Sequence, residues 1–198
     1  MFDKGSKKLI LFAAEKGHIL KDEVEEYVYG LNLVLTVLLT DITTLIIGFI
    51  FRMPIESIVF WFIYKSLRKY GGGFHFNSPL KCYLSTFVMC PLALLLIKYC
   101  PFDTVVFTSI TVLSTVIMFI LAPIPAIEKP LDDLEFKVFG RRARIIMCIS
   151  IAVYLLVSIK FLYASRIIAV SIWAVTLFGI MGKFKLMYYT KQESRKSV

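Results

Sequence analysis

The chain has 198 residues, of which 58% are hydrophobic and only 19% are charged. Soluble domains are nearer half apolar and a quarter charged, so this composition favours a protein embedded in lipid. The net charge of +9 does not indicate a nucleic-acid partner, because the lysines and arginines lie in short segments between apolar runs, as charges that set membrane topology do. We therefore predict an all-α, polytopic integral membrane bundle.

The first 27 residues are amphipathic rather than apolar. Between residues 7 and 20, Leu9, Phe12 and Ile19 are mixed with lysines and Glu15, a pattern that suits a helix lying along the cytoplasmic headgroups. A solvated tail with some apolar residues is the alternative. The acidic residues of this segment also argue against a cleavable signal peptide.

Six apolar runs follow within a single membrane domain, residues 1–198. They lie near residues 31–51, 54–69, 82–97, 105–127, 145–159 and 167–182. The second is short, although a helix extended through Lys65 and Arg68 can still cross a thin bilayer if those side chains snorkel. If all six cross and the N-terminus is cytoplasmic, 19 of the 23 basic residues lie on the cytoplasmic side. The positive-inside rule therefore favours six spans, with the N- and C-termini both cytoplasmic.

Asp41 is a carboxylate near the middle of the first run. Because a charge at that depth costs about 2.5–3.5 kcal/mol on insertion scales, we expect the side chain to face the bundle interior and to have a partner. Thr40 and Ser114 are candidate partners. Asp41 is equally a candidate for binding substrate and for a purely structural role.

The loop after the second run carries the candidate chemistry, and residues 65–82 read KSLRKYGGGFHFNSPLKC. Three glycines end one helix and Pro79 suits the first turn of the next, which places Cys82 at a helix N-terminus on the cytoplasmic edge of the membrane. The helix dipole there favours a thiolate. His75 can take the thiol proton and later return it to a leaving amine, as in cysteine–histidine hydrolases.

Other groups in this loop can stabilise the tetrahedral oxyanion of such a reaction. The backbone at Gly72 and Gly73, or the side chain of Arg68, can supply hydrogen-bond donors. Spacing alone also fits a histidine that is only a polar anchor at the membrane surface. A zinc site needs at least three protein ligands, and His18 is distant in sequence, so we expect no metal and no cofactor.

These residues carry a family resemblance. The set that carries it is Arg68, Gly72, Gly73, His75 and Cys82, placed between apolar spans. This set resembles the signature of the accessory gene regulator B (AgrB) family, membrane cysteine endopeptidases of Gram-positive quorum sensing. Ala122-Pro123 followed by Lys129-Pro130 is similar to a later motif of that family. The family pattern most often has a small residue before the histidine, where this chain has Phe74.

The resemblance implies a substrate and a reaction. The substrate would be an AgrD-like propeptide held at the inner face of the cell membrane. Cys82 would attack the bond before its C-terminal tail and form a thioester, with His75 as base and then as acid. A Cys or Ser of the propeptide would then displace the enzyme and close a thiolactone or lactone ring. The resemblance also makes Lys129 a candidate for binding the acidic tail and is compatible with a homodimer.

Two other functions remain open at this point. A non-enzymatic transporter or exporter of peptides would line a path with Asp41 and the polar residues of the spans, and Cys82 would be dispensable. A membrane scaffold would use its basic loops only to hold anionic lipid.

Overall fold

The structure is a computed structural model that describes residues 3–17, 19–74, 79–125 and 131–196. Most of these residues lie in α-helices, and no strand occurs within the described ranges. The helices are α1 (Asp3–Glu15), α2 (Val24–Ile50), α3 (Pro54–Gly71), α4 (Pro79–Tyr99), α5 (Thr104–Leu121), α6 (Asp133–Lys160) and α7 (Leu162–Lys196). The prediction of an all-α bundle is confirmed.

Five helices are long and apolar enough to cross a membrane. In the part of the chain that the structure describes, they are α2, α4, α5, α6 and α7. Helix α3 is not among them, because its 18 residues include four charged ones, Glu56, Lys65, Arg68 and Lys69. The helices do not end where the apolar runs end. Helix α5 stops at Leu121, since Pro123 restricts Ala122 to the extended conformation it adopts.

Helices α2 and α3 form an antiparallel hairpin. A tight turn at residues 51–53 joins them, and Pro54 opens α3 at a position where no backbone hydrogen bond is lost. Near the turn, the buried Ser57 hydroxyl donates to the Thr44 carbonyl at 2.8 Å. With a rise of 1.5 Å per residue, α3 is about 27 Å long. It therefore runs back alongside most of the apolar part of α2.

Helix α7 lies at the centre of the bundle. It packs against α3, α4, α5 and α6. Of the residues in its most apolar stretch, 61% are buried inside the protein, against about 20% in each of the other four candidate spans. On its α5 side, the Trp173 ring lies 4.4 Å from that of Phe107 between centroids, and the Trp173 indole N–H donates to Thr111 Oγ1 at 3.1 Å. Large apolar side chains elsewhere point outward, as expected where lipid is the solvent.

Helix α1 folds back along α2. The Ser6 hydroxyl, which is 2% exposed, donates to Asn32 Oδ1 at 2.8 Å. Leu9 and Phe12 of α1 are exposed. This leaves an apolar surface that suits contact with lipid, although the orientation of α1 relative to the membrane stays a prediction.

The close approach of α2 and α3 gives a first testable prediction. A Cβ atom at Gly48 would lie 2.6 Å from the Ser57 Cβ and 3.2 Å from the Pro54 Cα. Gly48→Ala should therefore push the two helices apart and lower the free energy of unfolding by about 1–3 kcal/mol. Reversible unfolding in detergent micelles measures this. Gly30→Ala is the matched control in the same helix, because nothing lies within 4 Å of a Cβ there; equal stability of the two variants would contradict the packing.

Candidate active site

The chain leaves α3 through a short extended segment, Gly71–Phe74. Gly72 and Gly73 have φ angles of 72° and 127°, which side chains other than glycine rarely allow. The segment pairs with Ile124, whose amide donates to the Gly71 carbonyl at 3.0 Å and whose carbonyl accepts from the Gly73 amide at 3.4 Å. A Cβ atom at Gly72 would lie 2.0 Å from the Ile124 carbonyl oxygen. Glycine is thus required at position 72 by both conformation and space.

The pairing brings together two motifs that are far apart in sequence. Ile124 directly follows Ala122-Pro123, the pair singled out after the fifth helix. Arg144 of α6 donates to the Ala122 carbonyl at 3.5 Å and so helps to hold this turn. The Gly-Gly stretch and the Ala-Pro stretch therefore lie side by side at one end of the bundle.

Helix α7 contacts the other side of the Gly71–Phe74 segment, which we call the glycine segment. The Phe74 amide donates to the Phe178 carbonyl at 2.8 Å, and the buried Gly182 lies against Gly73 and Phe74. Sequence reasoning missed Ile124, Phe178 and Gly182. Contacts of this kind are made by backbone atoms of distant segments, so they leave no periodic pattern in the sequence. Gly179 and Gly182 of α7 are the signal that could have indicated a close approach there, because small residues let another backbone come near a helix.

Arg68 reaches from the last turn of α3 back to this segment. Its Nη2 donates to the Phe74 carbonyl, and its guanidinium lies 5.0 Å from the centroid of the Phe178 ring. Its Nη1 is buried and has no hydrogen-bond partner within the described residues. Because a buried donor left without a partner costs about 1–3 kcal/mol, we expect Nη1 to bind a further acceptor.

Cys82 lies in the first turn of α4, where the sequence predicts it. Its thiol is free and half-buried, and Arg68 and Tyr64 of α3 are near enough to interact with it electrostatically. The next residue, Tyr83, shares a 3.0 Å hydrogen bond with Thr43 of α2. This bond fixes the start of α4 against the α2–α3 hairpin.

Two of the predicted site residues, His75 and Lys129, lie outside the described residues. The pairing of His75 with Cys82, and the binding of a propeptide tail by Lys129, therefore stay predictions. Arg68, Gly72, Gly73 and Cys82 are brought to the same end of the bundle.

Asp41 has partners other than the two that the sequence suggested. Its Oδ1 accepts from the Trp61 indole N–H at 2.7 Å, and its two oxygens accept from Lys65 Nζ at 2.9 and 3.0 Å. The Thr40 hydroxyl donates instead to the Thr36 carbonyl. In the antiparallel hairpin Trp61 lies opposite Asp41 and Lys65 lies one turn further along α3, and the side chain of Asp41 is about one-third exposed. A role of Asp41 in binding substrate stays a prediction.

Comparison with known proteins identifies the family. Residues 6–181 match the family model described as Accessory gene regulator B. Putative AgrB-like protein 2 of Clostridium perfringens (strain 13 / Type A) is 32% identical over 116 residues, which cover 55% of this chain and 54% of that protein. Putative AgrB-like protein of Clostridium perfringens (strain SM101 / Type A) is 30% identical over 116 residues with the same coverage. The chain thus spans about half the length of the curated relatives it matches.

No solved structure matches the chain significantly. The family match covers most of the sequence, and it agrees with the resemblance carried by the glycine, histidine and cysteine residues of the loop after α3. Together with the five apolar helices, it makes the chain a multi-pass membrane protein. The chain belongs to the accessory gene regulator B family.

Proposed function

We propose that this protein is a membrane cysteine endopeptidase that removes the C-terminal tail of an AgrD-like propeptide and promotes its cyclisation. The observation that carries the proposal is that Cys82 lies near enough to Arg68 to interact with it electrostatically, and that the buried Nη1 of Arg68 has no hydrogen-bond partner among the described residues. A nucleophile next to an unpartnered donor is the arrangement that acyl transfer requires, because negative charge develops on the carbonyl oxygen in the transition state.

The first half of the reaction forms a thioester. The Cys82 thiol gives its proton to His75, and its sulfur attacks the carbonyl carbon of the bond before the tail. Arg68 Nη1 donates to the resulting oxyanion, while Nη2 remains bonded to the Phe74 carbonyl. When the tetrahedral intermediate collapses, the carbon–nitrogen bond breaks and His75 returns the proton to the departing amine.

The second half closes the ring. A Cys or Ser side chain of the propeptide attacks the thioester carbonyl, and its proton is returned to Cys82 as the thiol leaves. The thioester keeps the acyl group activated only as long as water is excluded. The half-buried position of Cys82 at the start of an apolar helix supports this condition. No metal or cofactor takes part in these steps.

We also propose that the chain crosses the membrane six times. Helix α3 returns alongside the apolar part of α2, with Ser57 near one end of α2 and Lys65 beside Asp41. If α2 crosses, α3 must therefore bring the chain back to the same side. Applying the positive-inside rule to six spans, we propose that both termini and the site lie on the cytoplasmic side of the cell membrane of a Gram-positive bacterium. Lys129 is then on the same side and available to an acidic tail.

Reconstitution tests the proposal. The purified protein in liposomes, given an AgrD-like propeptide with an amphipathic N-terminal part, a Cys or Ser and an acidic C-terminal tail, should release the tail and the cyclic peptide without added nucleotide or metal. His75→Ala should reduce tail release by about 100- to 10,000-fold, the contribution of a general acid–base. The exporter alternative predicts the opposite pattern: transport of intact peptide into the vesicles by a Cys82→Ala protein that cleaves nothing.

A further inference from the structure

The glycine segment lies between Ile124 and helix α7. Ile124 follows the Ala122-Pro123 motif, whereas the sequence singled out no residue of α7. Ile124 contacts the segment on one side. On the other side lies α7, where the Phe178 carbonyl accepts from the Phe74 amide at 2.8 Å. A hydrogen bond to a carbonyl that is already part of a helix requires the segment to come very near the helix backbone.

Gly182 makes that approach possible. A Cβ atom at this position would lie 2.5 Å from the Gly73 carbonyl carbon, 2.6 Å from the Phe74 nitrogen and 2.8 Å from the Gly73 Cα. These are backbone atoms, so no side-chain rotation can relieve the contact. The segment would have to move by about 1 Å to reach ordinary van der Waals distance.

Such a movement reaches the proposed site through Arg68. The Phe74 carbonyl accepts from Arg68 Nη2, and Arg68 Nη1 lies near Gly73, 2.9 Å from the position of a Cβ there. The guanidinium, which interacts with Cys82, is therefore held by the same two residues that contact Gly182. Phe74 also directly precedes His75 in the sequence.

From this chain of contacts we infer that Gly182 of α7 is a positioning residue for the acyl-transfer site. It sets where the Gly73–Phe74 backbone lies and, through the Phe74 carbonyl, where the Arg68 guanidinium lies relative to Cys82. The inference rests on the proposed function, because it concerns the geometry of that reaction. It assigns a role to a helix whose sequence carries none of the residues expected to do chemistry.

The test compares three proteins in the reconstituted cleavage assay. In Gly182→Ala, kcat should fall by about 100-fold, a loss that a 1 Å misplacement can cause, while KM stays close to that of the unsubstituted protein. Gly179→Ala is the matched control one helical turn away, where an added Cβ would meet side-chain atoms rather than backbone, Met118 Sδ at 2.8 Å and Ile124 Cδ1 at 3.3 Å. It should lower the melting temperature yet keep kcat near the original value.

The outcomes separate this inference from the proposed function. If Gly182→Ala cleaves at the original rate while Cys82→Ser does not, the positioning role is overturned and the endopeptidase stands. If Cys82→Ser itself still cleaves, the endopeptidase assignment fails whatever Gly182→Ala does.

A measurement on the unsubstituted protein covers the case in which Gly182→Ala does not fold. Amide hydrogen exchange should show the Phe74 amide protected to a degree similar to helical amides, since it donates to Phe178. Exchange of the Phe74 amide as fast as in an unstructured peptide would overturn the positioning role.

Discussion

Cys82→Ser should abolish release of the propeptide tail, with a fall in kcat of at least about 1,000-fold. The hydroxyl that replaces the thiol is nearly the same size, so packing at the start of α4 is preserved. A serine hydroxyl is a far weaker nucleophile at neutral pH than a cysteine sulfur, and a general base that suffices for a thiol gives it little help. Chromatography of the reaction in liposomes measures the released tail.

Cys148→Ser is the matched control for this prediction. Cys148 is an exposed, free cysteine on α6, and the same change there should leave the cleavage rate unaltered. Both variants should melt at nearly the same temperature as the unsubstituted protein. Tail release by Cys82→Ser at the rate of Cys148→Ser would rule out Cys82 as the nucleophile.

Arg68→Lys should decrease kcat by about 100- to 1,000-fold. The substitution keeps a positive charge but removes the planar fork of donors. In the structure one nitrogen of that fork is bonded to Phe74 and the other is buried without a partner among the described residues. A single ammonium group cannot hold the Phe74 carbonyl and also donate to an oxyanion in the same geometry. Single-turnover kinetics of tail release measures the loss.

The control for Arg68 is another arginine near an aromatic ring. Arg142 of α6 lies 5.5 Å from the centroid of the Tyr70 ring, and Arg142→Lys should leave kcat close to that of the unsubstituted protein. If Arg68→Lys behaved in the same way, the guanidinium fork would have no part in catalysis and only its charge would matter.

The helices were predictable from the apolar runs of the sequence. A chain in a bilayer must satisfy its backbone hydrogen bonds internally, so each long apolar run becomes a helix. Where a helix stops was less predictable. Helix α7 continues to Lys196, well past the last apolar run, since nothing in the polar residues after position 182 breaks it. Helix α5 ends early because Pro123 cannot follow a helical residue without strain.

Only part of the site followed from the sequence. Pro79 after three glycines predicts a helix start near Cys82, and the structure has it there. The partner of Asp41 depends instead on the register of the α2–α3 hairpin, which pairs it with Lys65. Gly182 matters through distances to the backbone of Gly73 and Phe74, and such contacts are set by tertiary packing rather than by any local pattern.

The most direct test of the central claim is to trap the acyl group on Cys82. A propeptide in which the ring-forming Cys or Ser is replaced by Ala cannot close the ring, so the thioester should accumulate. Mass spectrometry of the digested protein should then find the N-terminal part of the propeptide attached to the peptide that contains Cys82, in a form that hydroxylamine removes. Release of the tail while Cys82 stays unmodified, or an adduct on any other residue, would contradict the account.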